Sequence, residues 1–276
     1  MTADGFRVLD VHHHVGDATV ALAMPGLPGA PSAPGEMQMR LDTMDRNGVD
    51  GAIVIPGHSY LRPEGLADTR LVNDGIAAYR DTHPDRFVGA LGVVEPLYGR
   101  AGDPELHRIK HELGMVGVSF HTRFQGVSTD SPLVLAQIEV MAELGLVPFV
   151  HSVAEASEEA LWRVQVVGRA FPDLPIVVLD CFSSHEQATH ALHAAEASPN
   201  LIFDTSLAYT IDPVLRLIDR YGAQRVVFGT DLYSHPLGYQ RSYVLAQFLD
   251  SGLPADILQA VLATNAERLL GLDSRG

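Results

Sequence analysis

Histidines and carboxylates able to hold an ion or move a proton fall where apolar runs of this chain stop. The first run ends Asp10-Val11-His12-His13-His14. Strand alternation puts His12 and His14 on one face and His13 on the other. It also places Asp10 on the His12 side, one step deeper, in a supporting role. Two imidazoles on one face can share a divalent metal, with acidic groups orienting them. His151 ends LVPFVH and Asp231 ends RVVFGTD. Together the four make a three-imidazole, one-carboxylate set, which can hold a catalytic metal and leave a position for water or substrate in a five-coordinate site.

Other polar residues recur at run ends. His121 and Arg123 close FHTRF. Alternation puts both on one side, where Arg123 suits a carboxylate and His121 suits metal ligation or proton transfer. His185 follows Asp180-Cys181-Phe182-Ser183-Ser184 and is a further acid or base. The same stretch also reads as Ser184 capping a helix that starts at His185, with the imidazole in water. His58, Tyr60 and His235 are weaker candidates for lining a site. Cys181, the lone cysteine, reads as a buried inert thiol before it reads as a soft-metal ligand. With no GxSxG elbow, a serine hydrolase has no support.

These residues need a frame that gathers strand ends. Eight short apolar runs recur, at 6–14, 51–58, 87–94, 115–121, 146–151, 175–181, 200–205 and 225–231. Most are continuous rather than alternating, as in strands covered on both faces. Helical spacing occupies 69–83, 132–144, 155–171 and 212–221. Ser131-Pro132 and Asp212-Pro213 read as caps followed by an N1 proline. The 276 residues average about 35 per unit, the size of a βα module. The expected fold is therefore α/β, a single-domain (β/α)8 TIM barrel over residues 1–276. Its functional residues belong at the strand C-termini. A doubly wound sheet lacks a GxGxxG turn after the first strand, and no phosphate loop is present. The stretch PGLPGAPSAPG at 25–35 disfavours helix and sheet and reads as a loop near the mouth.

Composition sets the remaining bounds. The chain is 46% hydrophobic, enough for a large core and against general disorder. A net charge of −15 argues against a nucleic-acid groove, although a local pocket can still attract a carboxylate-bearing small molecule. A single cysteine suits a reducing compartment, and neither a secretory leader nor a membrane span is visible. The expected location is cytoplasmic.

The chain resembles the metal-dependent amidohydrolase superfamily, specifically the amidohydrolase-2 group that includes aminocarboxymuconate-semialdehyde decarboxylase-like enzymes. LDVHHHVG is similar to that group's Asp-x-His-x-His signature, LGLVPFVHS to its fifth-strand histidine segment, and VVFGTDLY to its eighth-strand Gly-Ser/Thr-Asp segment. TNAERLLGL resembles its final helix. The resemblance implies a divalent metal, commonly zinc, on His12, His14, His151 and Asp231, and a homodimer. It also implies that Asp231 can handle a proton. One departure stands out: Cys181 occupies the position where the group usually carries a sixth-strand histidine. The leading expectation is a hydrolase in which metal-activated water attacks an amide, ester or lactone of a small molecule. Asp231 takes the water proton, and His185 or His121 protonates the leaving group. The alternatives are a non-oxidative decarboxylase of an aromatic or unsaturated acid, with Arg123 orienting the carboxylate, and a catalytically inactive binding barrel.

Overall fold

The computed structural model describes residues 5–15, 33–56, 64–232 and 242–272. All eight apolar runs contain strands: β1 (Leu9–Val15), β2 (Gly51–Pro56), β3 (Phe87–Gly92), β4 (Gly117–Phe120), β5 (Val147–His151), β6 (Ile176–Leu179), β7 (Leu201–Asp204) and β8 (Val226–Val227). They pair in parallel and in sequence order, β1 to β8. The seam between β8 and β1 is joined by Val11 N–H to the Phe228 carbonyl at 3.0 Å and Asp231 N–H to the His12 carbonyl at 2.9 Å. A (β/α)8 TIM barrel results, as the βα rhythm predicts.

The covering helices are α1 (Ala33–Arg46), α2 (Leu66–Thr82), α3 (Asp103–His111), α4 (Pro132–Leu144), α5 (Leu161–Ala170), α6 (His185–Ala197) and α7 (Asp212–Tyr221). After β8 come α8 (Val244–Leu249), α9 (Ala255–Gln259) and α10 (Asn265–Leu270). Ser131 caps α4 as expected, its side chain accepting from Val134 N–H. Asp212 does not cap α7. It lies inside the first turn, with Ile211 at the cap position and no side-chain bond there. The loop expected at 25–35 falls mostly outside the described residues, but its end is helical. Helix α1 starts at Ala33, with Pro34 in the first turn, where a missing N–H costs nothing.

Two apolar layers alternate along the strands. Leu9, Val11, Ile53, Ile55, Leu91, Phe149, Val177, Leu179 and Val227 fill the barrel. Their sequence neighbours Val8, Ala52, Val54, Ala90, Val150, Ile176 and Val178 face the helices. This is why the runs read as continuous. Gly117 is required where β4 meets β5, since a Cβ there would come within 2.2 Å of the Val147 carbonyl oxygen. Among the described residues, no helix is long and apolar enough to cross a membrane.

Strict alternation fails in β1. Its pairing with β2 shifts register between Asp10 and His13. Leu9 and Val11 face the barrel interior, and the irregularity then lets His12 and His14 face it as well. Asp10 is therefore not on the His12 side. Its Oδ2 accepts from His13 Nδ1 at 2.7 Å and from the Thr230 hydroxyl, and its Oδ1 accepts from the Thr230 N–H and the His12 N–H, both at 3.0 Å. The supporting role stands in a different form: Asp10 clips the end of β8 to β1. Asp10→Ala leaves several buried donors without an acceptor. It is expected to cost at least about 2 kcal/mol of stability, read as a lower midpoint in denaturant unfolding, with Asp10→Asn retaining part of the loss.

Candidate metal centre and its surroundings

His12 and His14 come from the end of β1 and His151 from the last position of β5. All three are buried, and one nitrogen from each lies within 4.8 Å of the others. His12 Nε2 and His14 Nε2 are 3.0 Å apart. Nitrogens bound to one ion at about 2.1 Å stand about 3.0–3.4 Å apart at angles between square and tetrahedral, so this spacing fits a shared ion. Asp231 Oδ1 lies 3.4 Å from His12 Nε2 and 3.5 Å from His14 Nε2. Asp231 adopts φ of 54°, a left-handed conformation that aspartate tolerates better than most residues. The three strand-end histidines singled out in the sequence thus come together, with Asp231 beside two of them.

In His12 and His151 the ring nitrogen turned away from the cluster is held by an acceptor. His12 Nδ1 donates to Asp204 Oδ2 at 3.0 Å, and His151 Nδ1 donates to the Phe120 carbonyl at 2.8 Å. Bonds of this kind leave Nε2 as the lone-pair nitrogen and fix ring orientation, as metal-ligating histidines require. The site can therefore bind a divalent metal.

A carboxylate layer lies behind His12. The Ser206 hydroxyl is 2.8 Å from Asp204 Oδ1, 2.9 Å from Asp180 Oδ1 and 3.0 Å from His12 Nδ1. Asp180 stands one residue past β6 with φ of 65°, its Oδ1 3.7 Å from His12 Nδ1. Burial alone would lower the His12 pKa, but Asp180, Asp231 and Asp204 outweigh it and lift it to about 10. Burial and the neighbouring Asp204 push Asp180 up to about 6, against the pull of His12. Burial likewise raises Asp231 well above the usual carboxylate range. A divalent metal held there would compete with these protons for the same atoms.

Gly229 makes this layer possible. A Cβ there would stand 2.6 Å from Asp204 Oδ2 and 3.1 Å from His12 Cβ. Asp204, Ser206 and Gly229 were not among the candidates from sequence, although Asp204 ends its strand much as Asp231 follows its own.

On the opposite side, His121 follows β4 and stacks on His151, with ring centroids 4.2 Å apart and planes at 2°. Its Nδ1 is 2.6 Å from Glu159 Oε1. Glu159 is fully buried at the end of a 3-10 turn (Ser157–Glu159), and no residue pattern separates it from exposed Glu158. Burial lifts its pKa to about 8 against the opposing Arg123 N–H and charge. The Arg123 side chain is 33% exposed, lies over the Phe124 ring at 4.3 Å, and brings Nε to 3.8 Å from Glu159 Oε2.

The other candidates are not gathered. His185 is exposed as the first residue of α6, and Ser184 caps that helix by accepting from Gln187 N–H at 3.1 Å. The capping alternative is what forms. Cys181 packs in the layer between strands and helices, and burial pushes its thiol well up. It is an inert core residue. His58, Tyr60 and His235 lie outside the described residues.

Comparisons extend the picture along the whole chain. A 2-amino-3-carboxymuconate-6-semialdehyde decarboxylase of Dictyostelium discoideum is 24% identical, over 85% of this chain and 76% of its own. The crystal structure of 5-carboxyvanillate decarboxylase from Sphingomonas paucimobilis superposes with a TM-score of 0.76 at 18% identity, covering 97% of this chain and 99% of that one. The 5-carboxyvanillate decarboxylase of Novosphingobium aromaticivorans, complexed with manganese and 4-hydroxy-3-methoxy-5-nitrobenzoic acid, superposes at 0.74 with 16% identity, covering 98% and 99%. These relatives are decarboxylases, which overturns the expectation of a hydrolase attacking an amide, ester or lactone.

Two outcomes test the centre. Gly229→Ala should displace Asp204 from His12 and lower metal affinity by roughly tenfold or more with the fold intact, read as metal content after dialysis beside circular dichroism. Because His12 carries a proton at neutral pH without metal, metal uptake should release protons and tighten as pH rises. An indicator dye in weakly buffered solution reads that release. The family match runs over residues 9–272, from the first strand to the final helix, and the chain belongs to the amidohydrolase family.

Proposed function

We propose that this protein is a metal-dependent, non-oxidative decarboxylase of an aromatic or unsaturated carboxylic acid. The observation that carries the reading is the pairing of a metal-capable three-histidine cluster with a partly exposed arginine, held beside it through Glu159. The decarboxylase names of full-length relatives support it.

His12, His14, His151 and Asp231 would hold the ion. When bound, it supplies positive charge that stabilises charge developing on a substrate oxygen. Manganese accompanies the related Novosphingobium structure, while zinc is the ion implied by the resemblance. Three imidazoles and one carboxylate accept either.

Arg123 orients the substrate carboxylate from the rim. His121, its Nδ1–H held by Glu159, first takes up a proton at Nε2 and then, as the imidazolium, donates that Nε2 proton to the carbon that bears the carboxylate. The bond to the carboxylate carbon then breaks, carbon dioxide departs, and its electron pair remains on the protonated carbon's framework. The buried walls around His121 and His151 limit water at that carbon. His185, exposed on α6, has no part in this scheme. A homodimer and a cytoplasmic location belong to the same reading, the dimer being checked by sedimentation.

The test uses manganese- and zinc-loaded protein with carboxyl-labelled 2,6-dihydroxybenzoate and 5-carboxyvanillate in deuterated water. The expected result is labelled carbon dioxide, with one deuterium on the product carbon. Arg123→Gln should raise KM at least about tenfold, the scale of a lost charge-assisted bond. Absence of carbon dioxide from these and other unsaturated acids, with oxygen from water entering esters or lactones instead, contradicts the proposal.

A further inference from the structure

Glu159 is a buried carboxylate that the chemistry above does not itself consume. It lies after β5, eight residues beyond His151, yet reaches back to the loop after β4. Its Oε1 accepts from His121 Nδ1 at 2.6 Å and from the Arg123 N–H at 3.1 Å. Its Oε2 lies 3.8 Å from Arg123 Nε. One side chain thus spans the residue assigned the proton and the residue assigned the substrate carboxylate.

The turn carrying it is pinned on both sides. The Ser152 hydroxyl donates to the Glu159 carbonyl at 2.9 Å, and Glu159 N–H donates to the Ala156 carbonyl at 3.1 Å. The adjacent Glu158 carbonyl accepts from the Thr129 N–H at 2.9 Å and its hydroxyl at 3.0 Å. Anchored this way, the carboxylate has little freedom to drift. It fixes the edge of the His121 ring while the stack on His151 fixes the face. Burying a carboxylate is costly, so an apolar side chain would serve better if the position only filled space.

We infer that Glu159 is a positioning residue that sets His121 and Arg123 relative to one another, and so fixes where a substrate carboxylate sits with respect to the proton it needs. The inference rests on the decarboxylase reading. Through Nδ1, Glu159 holds the His121 ring so that Nε2, the nitrogen that takes up and then donates the proton, is turned away from it. Through the Arg123 backbone and guanidinium, it aims the arginine at the rim. Loss of the carboxylate should therefore affect binding and turnover together, whereas loss of either partner affects mainly one.

The experiment compares full-length, metal-loaded protein with Glu159→Ala, Glu159→Gln, His121→Asn and Arg123→Gln. Nitrogen-15 NMR of the histidine rings reads the His121 tautomer without any turnover. Kinetics with 2,6-dihydroxybenzoate and 5-carboxyvanillate separate KM from kcat. For Glu159→Ala, the His121 signal should move from a fixed Nδ1–H form to a tautomer mixture. KM should rise and kcat fall, each about tenfold, with metal content per chain unchanged. Glu159→Gln, whose carbonyl still accepts from Nδ1–H, should keep the tautomer and recover most of kcat while KM stays raised. If the alanine variant does not fold, that split in the glutamine variant decides the matter.

An unchanged tautomer in the alanine variant, or a loss explained entirely by missing metal, overturns the inference. So does wild-type kinetics in the glutamine variant. If wild-type protein releases no carbon dioxide from any acid, the decarboxylase reading fails, while the NMR result still decides whether Glu159 orients His121.

Discussion

A buried imidazole among three carboxylates demands a cation. His12 is that imidazole, with Asp204 and Asp180 behind Nδ1 and Asp231 in front of Nε2. Such a group of like charges in a desolvated space is relieved either by taking up protons or by a cation brought in with it. In the absence of metal, His12 keeps its proton far above the usual imidazole range. A divalent ion meets the same demand more fully, because it also draws on His14 and His151. The rest of the barrel mouth is arranged around this requirement.

The fold supplies it through closure. Strands β1 and β8 are the first and last of the sheet, and His12, His14 and Asp231 lie on the two sides of their seam, with His151 arriving from β5. Asp10 joins them by accepting from Thr230 and from the β1 backbone. Gly229 lets β8 approach until Asp204 reaches His12. The apolar plug of Leu9, Val11, Phe149, Val177 and Leu179 then gives the polar cluster a dry floor. Stability and function therefore share residues here, and a substitution at the seam disturbs both.

Much of this was legible in the residues. Continuous apolar runs located every strand, because strands covered on both faces carry no polar alternation. His12, His14, His151 and Asp231 were legible because a parallel barrel collects its strand ends at one face. What escaped depended on local backbone geometry. A register shift in β1 moved Asp10 to the other side. A left-handed residue re-aimed Asp180 toward His12, leaving Cys181 in the outer layer. Glu159 arrives from a loop, where no periodicity marks a side chain as buried. Asp204 carried the same strand-end signal as Asp231 and was overlooked. The hydrolase expectation failed for a different reason: a metal set describes what can be polarised, and substrate choice depends on the groups around it.

X-ray absorption at the metal edge of manganese- or zinc-loaded protein tests the central claim most directly. The account predicts a first shell of nitrogen and oxygen, with the outer-shell pattern of three imidazoles at one ion per chain, reduced to two when His151 is replaced by alanine. A shell made only of oxygen, or an imidazole count unaffected by that replacement, contradicts it.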